Sequence, residues 1–245
     1  VLEAGDYLRL HLHDDLMISK KTGPTDLVTQ MDQQVQKDLV EKITHRYPED
    51  RIFAEEDGLR SPISEGSVWV IDPIDGTNNF VTQKEDFAVM VAYFEDGIGQ
   101  FGLIYDVMRD HLFYGGGEFP VYRNEVELTP FVDKTLENLL IASNVGMLEK
   151  NDWGMADLGM DSLGIRVYGS AGISFSKILS GGILAYFSYI WPWDYAAAAI
   201  MGDQLGYTVL NLNGDKPNYQ SVEPIMMVPK VKLTEIQTYL KKGRS

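Results

Sequence analysis

The sequence holds no cysteine. That excludes disulfides, thiolate-bound zinc and a cysteine nucleophile, and it fits a reducing, cytoplasmic setting. Positive charge is scarce as well. Lys and Arg number 21 against 36 Asp and Glu, a formal charge of −15 over 245 residues. A nucleic-acid backbone binder needs a basic face and a membrane-surface protein needs clustered cations, so neither partner is expected. Long apolar runs are missing too. A membrane-spanning helix takes roughly 20 apolar residues, and the longest candidate, residues 182–199, is interrupted by Pro192 and Asp194. The opening Val1-Leu2-Glu3-Ala4-Gly5, with acids close by, differs from a secretory leader. Histidines number four. His11 and His13 face apart on a predicted helix and His45 and His111 stand alone, which leaves zinc without a ligand set. There is no Gly-x-Ser-x-Gly elbow, no Walker A sequence and no kinase signature set. Gly115-Gly116-Gly117 lacks a following Lys-Ser/Thr and reads as a flexible turn.

What remains is a globular composition long enough for one large domain or two compact halves. Leu8, Leu12 and Leu16 at four-residue spacing predict an amphipathic helix from Val1 to about Met17. Residues 20–25 read as a loop punctuated by Gly23-Pro24. Thr29-Gln30-Met31-Asp32 resembles a capping box ahead of Val35, Leu39, Val40 and Ile43, predicting a helix over 30–45 that Pro48 ends. Ile52-Phe53-Ala54 and Val68-Trp69-Val70-Ile71 read as strands. Residues 87–113 read as antiparallel strands turning at 95–97 and 108–110, and 122–126 as a further turn. Beyond a boundary near 131–134 the pattern changes. Residues 139–143 and 165–168 read as strands, a helix follows to about Leu179 and stops at Gly181-Gly182, residues 194–205 read as an Ala-rich helix, and 208–210 as a strand. The expectation is an N-terminal α+β half over 1–133 with most of the acidic site, and a C-terminal α/β half over 134–245 that supplies Asp194.

The chemistry sits in the carboxylates. An apolar strand runs into Asp72-Pro73-Ile74-Asp75-Gly76-Thr77-Asn78, two acids three residues apart followed by a tight turn. Pro73 fixes a backbone angle and removes a donor, Gly76 lets backbone approach a ligand, and Thr77 and Asn78 open an element whose free N–H groups face an anion. The same string also serves as an ordinary Asp-Pro…Asp-Gly loop. Upstream, Glu55-Glu56-Asp57 follows an apolar run and by itself reads as a solvated acidic turn. Downstream, Asp194 lies between Trp193 and Tyr195 and by itself reads as a helix cap. Taken together, Glu55, Asp72, Asp75 and Asp194, with a carbonyl near Ile74, form an oxygen-only donor set that suits Mg²⁺ or Mn²⁺ rather than zinc. Such ions would invert the local negative field toward a phosphate, acidify water and support in-line phosphoryl displacement. An aspartyl-phosphate route through Asp72 or Asp75 ranks below this, because it leaves the other acids without a role.

Asp72-Pro73-Ile74-Asp75-Gly76-Thr77 resembles the signature of the inositol monophosphatase family, Mg²⁺-dependent and lithium-sensitive phosphomonoesterases. Lys21 with Pro24-Thr25-Asp26-Leu27-Val28-Thr29 and Asp32 is similar to the family's N-terminal segment. Glu55-Glu56 is similar to its Gly-Glu-Glu motif with Ala54 in place of glycine. Residues 102–106 and 110–113 resemble its hairpin, and Gly169-Ser170-Ala171 and Pro192-Trp193-Asp194-Tyr195-Ala196-Ala197 its C-terminal motifs. The resemblance implies an αβαβα layered sandwich of α+β and α/β character, a homodimer and a small phosphate monoester as substrate. It implies two or three Mg²⁺ ions, replaceable by Mn²⁺. Glu55, Asp72 and the Ile74 carbonyl would hold one ion, Asp72, Asp75 and Asp194 a second, and Glu55 would help with a third. Thr77 and Glu55 would orient the attacking water, with Asp32 polarising Thr77. Gly76, Thr77, Asn78, Ser170, Ala171 and Asp194 would contact phosphate or substrate, and Lys21 would lie on a loop that closes near the metals.

One departure stands out. Inositol-specific members carry a Glu shortly before the Trp-Asp motif, and Tyr186-Phe187-Ser188-Tyr189-Ile190-Trp191 has no acid. Aromatic faces stack on rings better than they pair hydroxyls, so either these aromatics line a pocket for a ring-bearing leaving group or they fill core or a dimer interface. Other branches act on NADP, adenosine 3′,5′-bisphosphate, fructose 1,6-bisphosphate or histidinol phosphate. Two readings of other kinds stand beside the phosphatase: a metal-binding regulatory protein without turnover, and two-metal nucleic-acid processing, which the charge disfavours.

Overall fold

The computed structural model describes residues 1–15, 17–20 and 27–242. Lys21, the predicted loop residue, lies outside the described residues, as does Leu16. The first helix, α1 (Leu2–Leu10), is shorter than the leucine spacing predicts. Asp14 and Asp15 follow it, and carboxylates oppose the dipole at a helix C-terminus. Part of the segment read as loop is extended instead: β1 (Ile18–Lys20) pairs antiparallel with β2 (Leu27–Thr29). Helix α2 (Gln30–Arg46) begins as expected. Thr29 N–H donates to Asp32 Oδ2 at 2.7 Å and Met31 N–H to Thr29 Oγ1 at 3.0 Å, so cap and third residue satisfy each other's ends.

Seven strands then form one sheet in chain order: β3 (Arg51–Ala54), β4 (Ser67–Asp75), β5 (Ala88–Glu95), β6 (Ile98–Asp106), β7 (His111–Gly116), β8 (Phe119–Arg123) and β9 (Val126–Glu127). Only β3 and β4 are parallel; the remaining pairs are antiparallel. The short helix α3 (Thr77–Thr82) interrupts the run after β4. β4 is longer than predicted. It continues through Asp72-Pro73-Ile74 to Asp75, with its register to β5 shifting between Asp72 and Asp75. A register break is what a residue without an N–H forces on a ladder.

The second sheet has the order β11-β10-β12-β14-β13, built from β10 (Leu140–Ser143), β11 (Gly164–Arg166), β12 (Ala185–Ile190), β13 (Tyr207–Asn211) and β14 (Glu223–Pro229). Its helices are α4 (Val145–Glu149), α5 (Met155–Asp161), α6 (Ala171–Leu179), α7 (Pro192–Gln204) and α8 (Leu233–Lys242). β12, β14, α4, α5 and α8 have no counterpart in the sequence reading. The apolar run of β12 has no period to separate strand from helix, and α4 and α5 are too short to show one.

The layers follow from which faces are apolar. Along β4, Val68 and Val70 face one side and Ile71 the other; along β5, Ala88, Met90 and Ala92 alternate with Val89 and Val91. Val35, Leu39 and Leu8 of α2 and α1 cover the second side. Residues Ile173, Phe175 and Ile178 of α6 and Tyr195, Ala197 and Met201 of α7 cover the first, and the same core continues into Ala142, Ile225 and Met227 of the other sheet. Met147, Leu158 and Ile236 of α4, α5 and α8 close the far side against Ile141, Phe187 and Met226. Helices, sheet, helices, sheet, helices: this is the αβαβα sandwich. Helix α7 lies so close to β6 that a Cβ on Gly102 would sit 2.8 Å from Ala197 Cα. None of the described helices is long and apolar enough to cross a membrane.

Candidate active site

Three strand and helix ends meet at one edge of the middle helix layer. Asp72 and Asp75 come from the end of β4, Asp194 from the first turn of α7, and Glu55 from the residue after β3. One carboxylate oxygen from each of Asp72, Asp75 and Asp194 lies within 4.8 Å of the others. Glu55 stands outside that trio and is near enough for its charge to raise the pKa of both Asp72 and Asp194. Its N–H donates to Ile71 O at 3.2 Å, which fixes its backbone beside β4.

Burial pushes Asp72 and Asp194 well above the usual carboxylate range, with the neighbouring acids adding to the rise. Asp72 Oδ1 is buried and has no hydrogen-bond partner. A buried carboxylate oxygen left unpaired is costly. An oxygen-only donor set with an orphaned oxygen and mutual repulsion fits a hard divalent cation.

Asp75 is held differently. Ser170 Oγ donates to its Oδ2, Gly172 N–H to the same oxygen at 2.8 Å, and Ala171 N–H to Oδ1 at 3.0 Å. Burial raises its pKa and these donors oppose the rise. A carboxylate from one sheet thus caps the first turn of α6, where free N–H groups favour negative charge. Ser170 and Ala171, expected beside phosphate, spend these hydrogens on Asp75. Asp194 is the third residue of its helix rather than the cap: its Oδ2 accepts from Trp191 N–H at 2.7 Å.

On the other flank, Asp32 is almost wholly buried. Its Oδ2 accepts from Thr29 N–H and Thr29 Oγ1, both at 2.7 Å, and its Oδ1 accepts from Thr77 Oγ1 at 3.0 Å. Thr77 Oγ1 also lies 3.0 Å from the Ile74 carbonyl. Its hydrogen is therefore directed inward and its lone pairs remain. Gly76 takes φ +85°, and a Cβ there would sit 2.9 Å from Ser170 Cβ, so only glycine fits this turn without strain. Asn78 is exposed on the outer side of α3.

Three contributors escaped the sequence reading. Gly172 supplies an N–H to Asp75. Asn79 Nδ2 donates to Asp86 O at 2.9 Å and Tyr168 O at 2.8 Å, tying α3 to the segment before Ser170. Arg60 lies against Trp193, 4.6 Å from its ring centroid, while its Nη2 donates to Glu55 O at 3.2 Å. Nothing in a lone loop arginine signals that contact. The four aromatics before Asp194 divide. Phe187 and Tyr186 are core, while Tyr189 and Trp191 reach the surface.

A layered αβαβα sandwich with clustered acids where strand ends meet helix starts places the protein among the phosphoric monoester hydrolases. The chain belongs to the inositol monophosphatase family, whose model matches residues 1–242. It is 36% identical over 221 residues to the inositol-1-monophosphatase of Bacillus subtilis (strain 168), covering 88% of this chain and 83% of that protein. The staphylococcal SaIMPase-II superimposes in its 2′-AMP-bound form with a TM-score of 0.87 at 29% identity, over 99% of this chain and 92% of that one. Its inositol monophosphate-bound form gives a TM-score of 0.87 at 29% identity, over 99% and 91%.

Proposed function

We propose that Glu55, Asp72, Asp75, Asp194 and the Ile74 carbonyl hold two or three Mg²⁺ ions, with Mn²⁺ as a substitute, and that the site hydrolyses small phosphate monoesters of the inositol monophosphate and nucleotide kinds. The observation that carries this reading is the trio of carboxylates with oxygens within 4.8 Å of one another, together with the unpartnered buried Oδ1 of Asp72. A divalent ion there supplies Lewis acidity, offsetting the phosphate's charge and lowering the pKa of water. The chain supplies the rest. Asp32 holds the Thr77 hydroxyl so that its lone pairs receive a hydrogen from the attacking water. Glu55, fixed by its backbone to β4, orients the same water. The N–H groups of Gly76 and Thr77 receive phosphate oxygens. Ser170, Ala171 and Gly172 keep the Asp75 carboxylate aimed inward.

The family likeness supports a homodimer working in the cytoplasm, which sedimentation of the purified chain and cell fractionation would check. The decisive assay is phosphate release from inositol 1-phosphate and from 2′-AMP. Release should stop in EDTA, return with Mg²⁺ and fall with Li⁺. Full turnover in EDTA would refute the site.

A further inference from the structure

Beside the carboxylates lies an aromatic stack whose rings have no part in the proposed hydrolysis. Trp191 and Trp193 are parallel, with ring centroids 4.8 Å apart and planes 10° from coplanar. Trp193 is buried, while Trp191 is 38% exposed. The Arg60 guanidinium lies 4.6 Å from the Trp193 centroid and 6.0 Å from that of Trp191. It comes from the opposite half of the chain. Its Nη1 donates to the carbonyls of Ala54 and Leu59 and its Nη2 to that of Glu55. These three bonds all end on carbonyls, so two of its five N–H groups are without a bond among the described residues. The stack is joined to the acidic site at both ends, through Arg60 to Glu55 and through Trp191 N–H to Asp194. It therefore borders the carboxylate cluster, and Trp191 carries that border to the surface.

The chemistry of this border is one-sided. It offers an indole face and a cationic plane with spare donors, both suited to stacking and to ring nitrogen or oxygen acceptors. It offers little to a ring of hydroxyls. The segment before Trp191 has no acid, and its serine, Ser188, is 3% exposed.

We propose that Arg60 and Trp191 are specificity residues that read the leaving group, and that they favour a phosphate monoester carried on a planar nitrogen-containing ring system, as in an adenine nucleotide, over one carried on a polyol. The inference rests on the phosphatase reading of the adjoining carboxylates.

The test compares kcat/KM for 2′-AMP and inositol 1-phosphate, with Mg²⁺, in the full chain. Trp191→Ala and Arg60→Met should each lower the 2′-AMP to inositol 1-phosphate ratio by about tenfold, mainly through the KM for 2′-AMP. Trp191→Phe should keep the ratio within about twofold, because it retains an aromatic face. A wild-type measurement guards against a variant that fails to fold: adenosine, without phosphate, should inhibit inositol 1-phosphate hydrolysis competitively at lower concentration than free inositol does. If both monoesters lose turnover equally in the variants, or the ratio does not move, the stack is only a tie between the halves and the inference falls. An adenosine inhibition constant no lower than that of inositol would overturn it as well. Absence of Mg²⁺-dependent release from both monoesters in the wild type would instead remove the phosphatase reading beneath it.

Discussion

Asp72→Asn separates the two costs of the acidic cluster. The substitution keeps side-chain shape and removes one charge from a trio whose oxygens lie within 4.8 Å. Two unit charges at that separation repel by about 3.5 kcal/mol at an effective dielectric near 20. Burial and the neighbouring acids already favour the neutral form of Asp72, so about one pair is the ceiling for the relief. With about 2–4 °C of melting temperature per kcal/mol in a chain of this size, that ceiling is about 7–14 °C. In EDTA near neutral pH the variant should therefore melt several degrees above the wild type. Added Mg²⁺ should reverse the order. A ligand at about 100 times its dissociation constant stabilises the protein that binds it by about 2.7 kcal/mol, and the variant, lacking the central carboxylate, should show little of that gain. Thermal melts with and without Mg²⁺, followed by circular dichroism, read both halves, and phosphate release should drop on the order of 100-fold or more. A variant that melts below the wild type in EDTA, or one that keeps the full Mg²⁺ shift, would show that Asp72 is neither strained by its neighbours nor a ligand.

Three further outcomes follow from named contacts. Raised carboxyl pKa values at Asp72, Asp75 and Asp194 mean that the folded chain holds protons the unfolded chain has released. Their contribution is complete below the unfolded values and is lost as pH rises through the folded ones, so the Mg²⁺-induced rise in melting temperature should grow as pH rises from the ordinary carboxylate range through the raised folded values; a constant rise would refute the assignment. Thr77→Val removes the hydroxyl that Asp32 holds. It should lower kcat on the order of 100-fold with KM little changed, while Thr77→Ser should restore much of the loss; equal loss in both would place the defect in packing. Gly102→Ala forces a methyl against the backbone of α7, and denaturant unfolding should register a loss of about 1–3 kcal/mol, with an unchanged midpoint showing that α7 shifts freely.

Local physics made several features legible in the chain itself. Thr29 and Asp32 satisfy each other's backbone ends over three residues, so the start of α2 needed no tertiary context. The β-branched and aromatic run Val68–Ile71 marked a strand and the turns near Gly97 and Asp110 placed the antiparallel strands, because strand composition and turn chemistry are encoded within a few residues. Asp72 and Asp75 were readable as a pair for the same reason. Convergence was not readable. Asp75 meets the N–H groups of residues 171 and 172 only because the first sheet and α6 pack on each other. Asp194 joins them only because α7 begins at that edge. Exposure was likewise settled by packing. Phe187 and Trp191 are both aromatic and four residues apart, yet one lies beneath α4, α5 and α8 while the other stands beside Arg60 at the surface. Alternating strand faces and helix starts are properties of short segments, whereas the distance between two carboxylates more than a hundred residues apart depends on how whole layers pack.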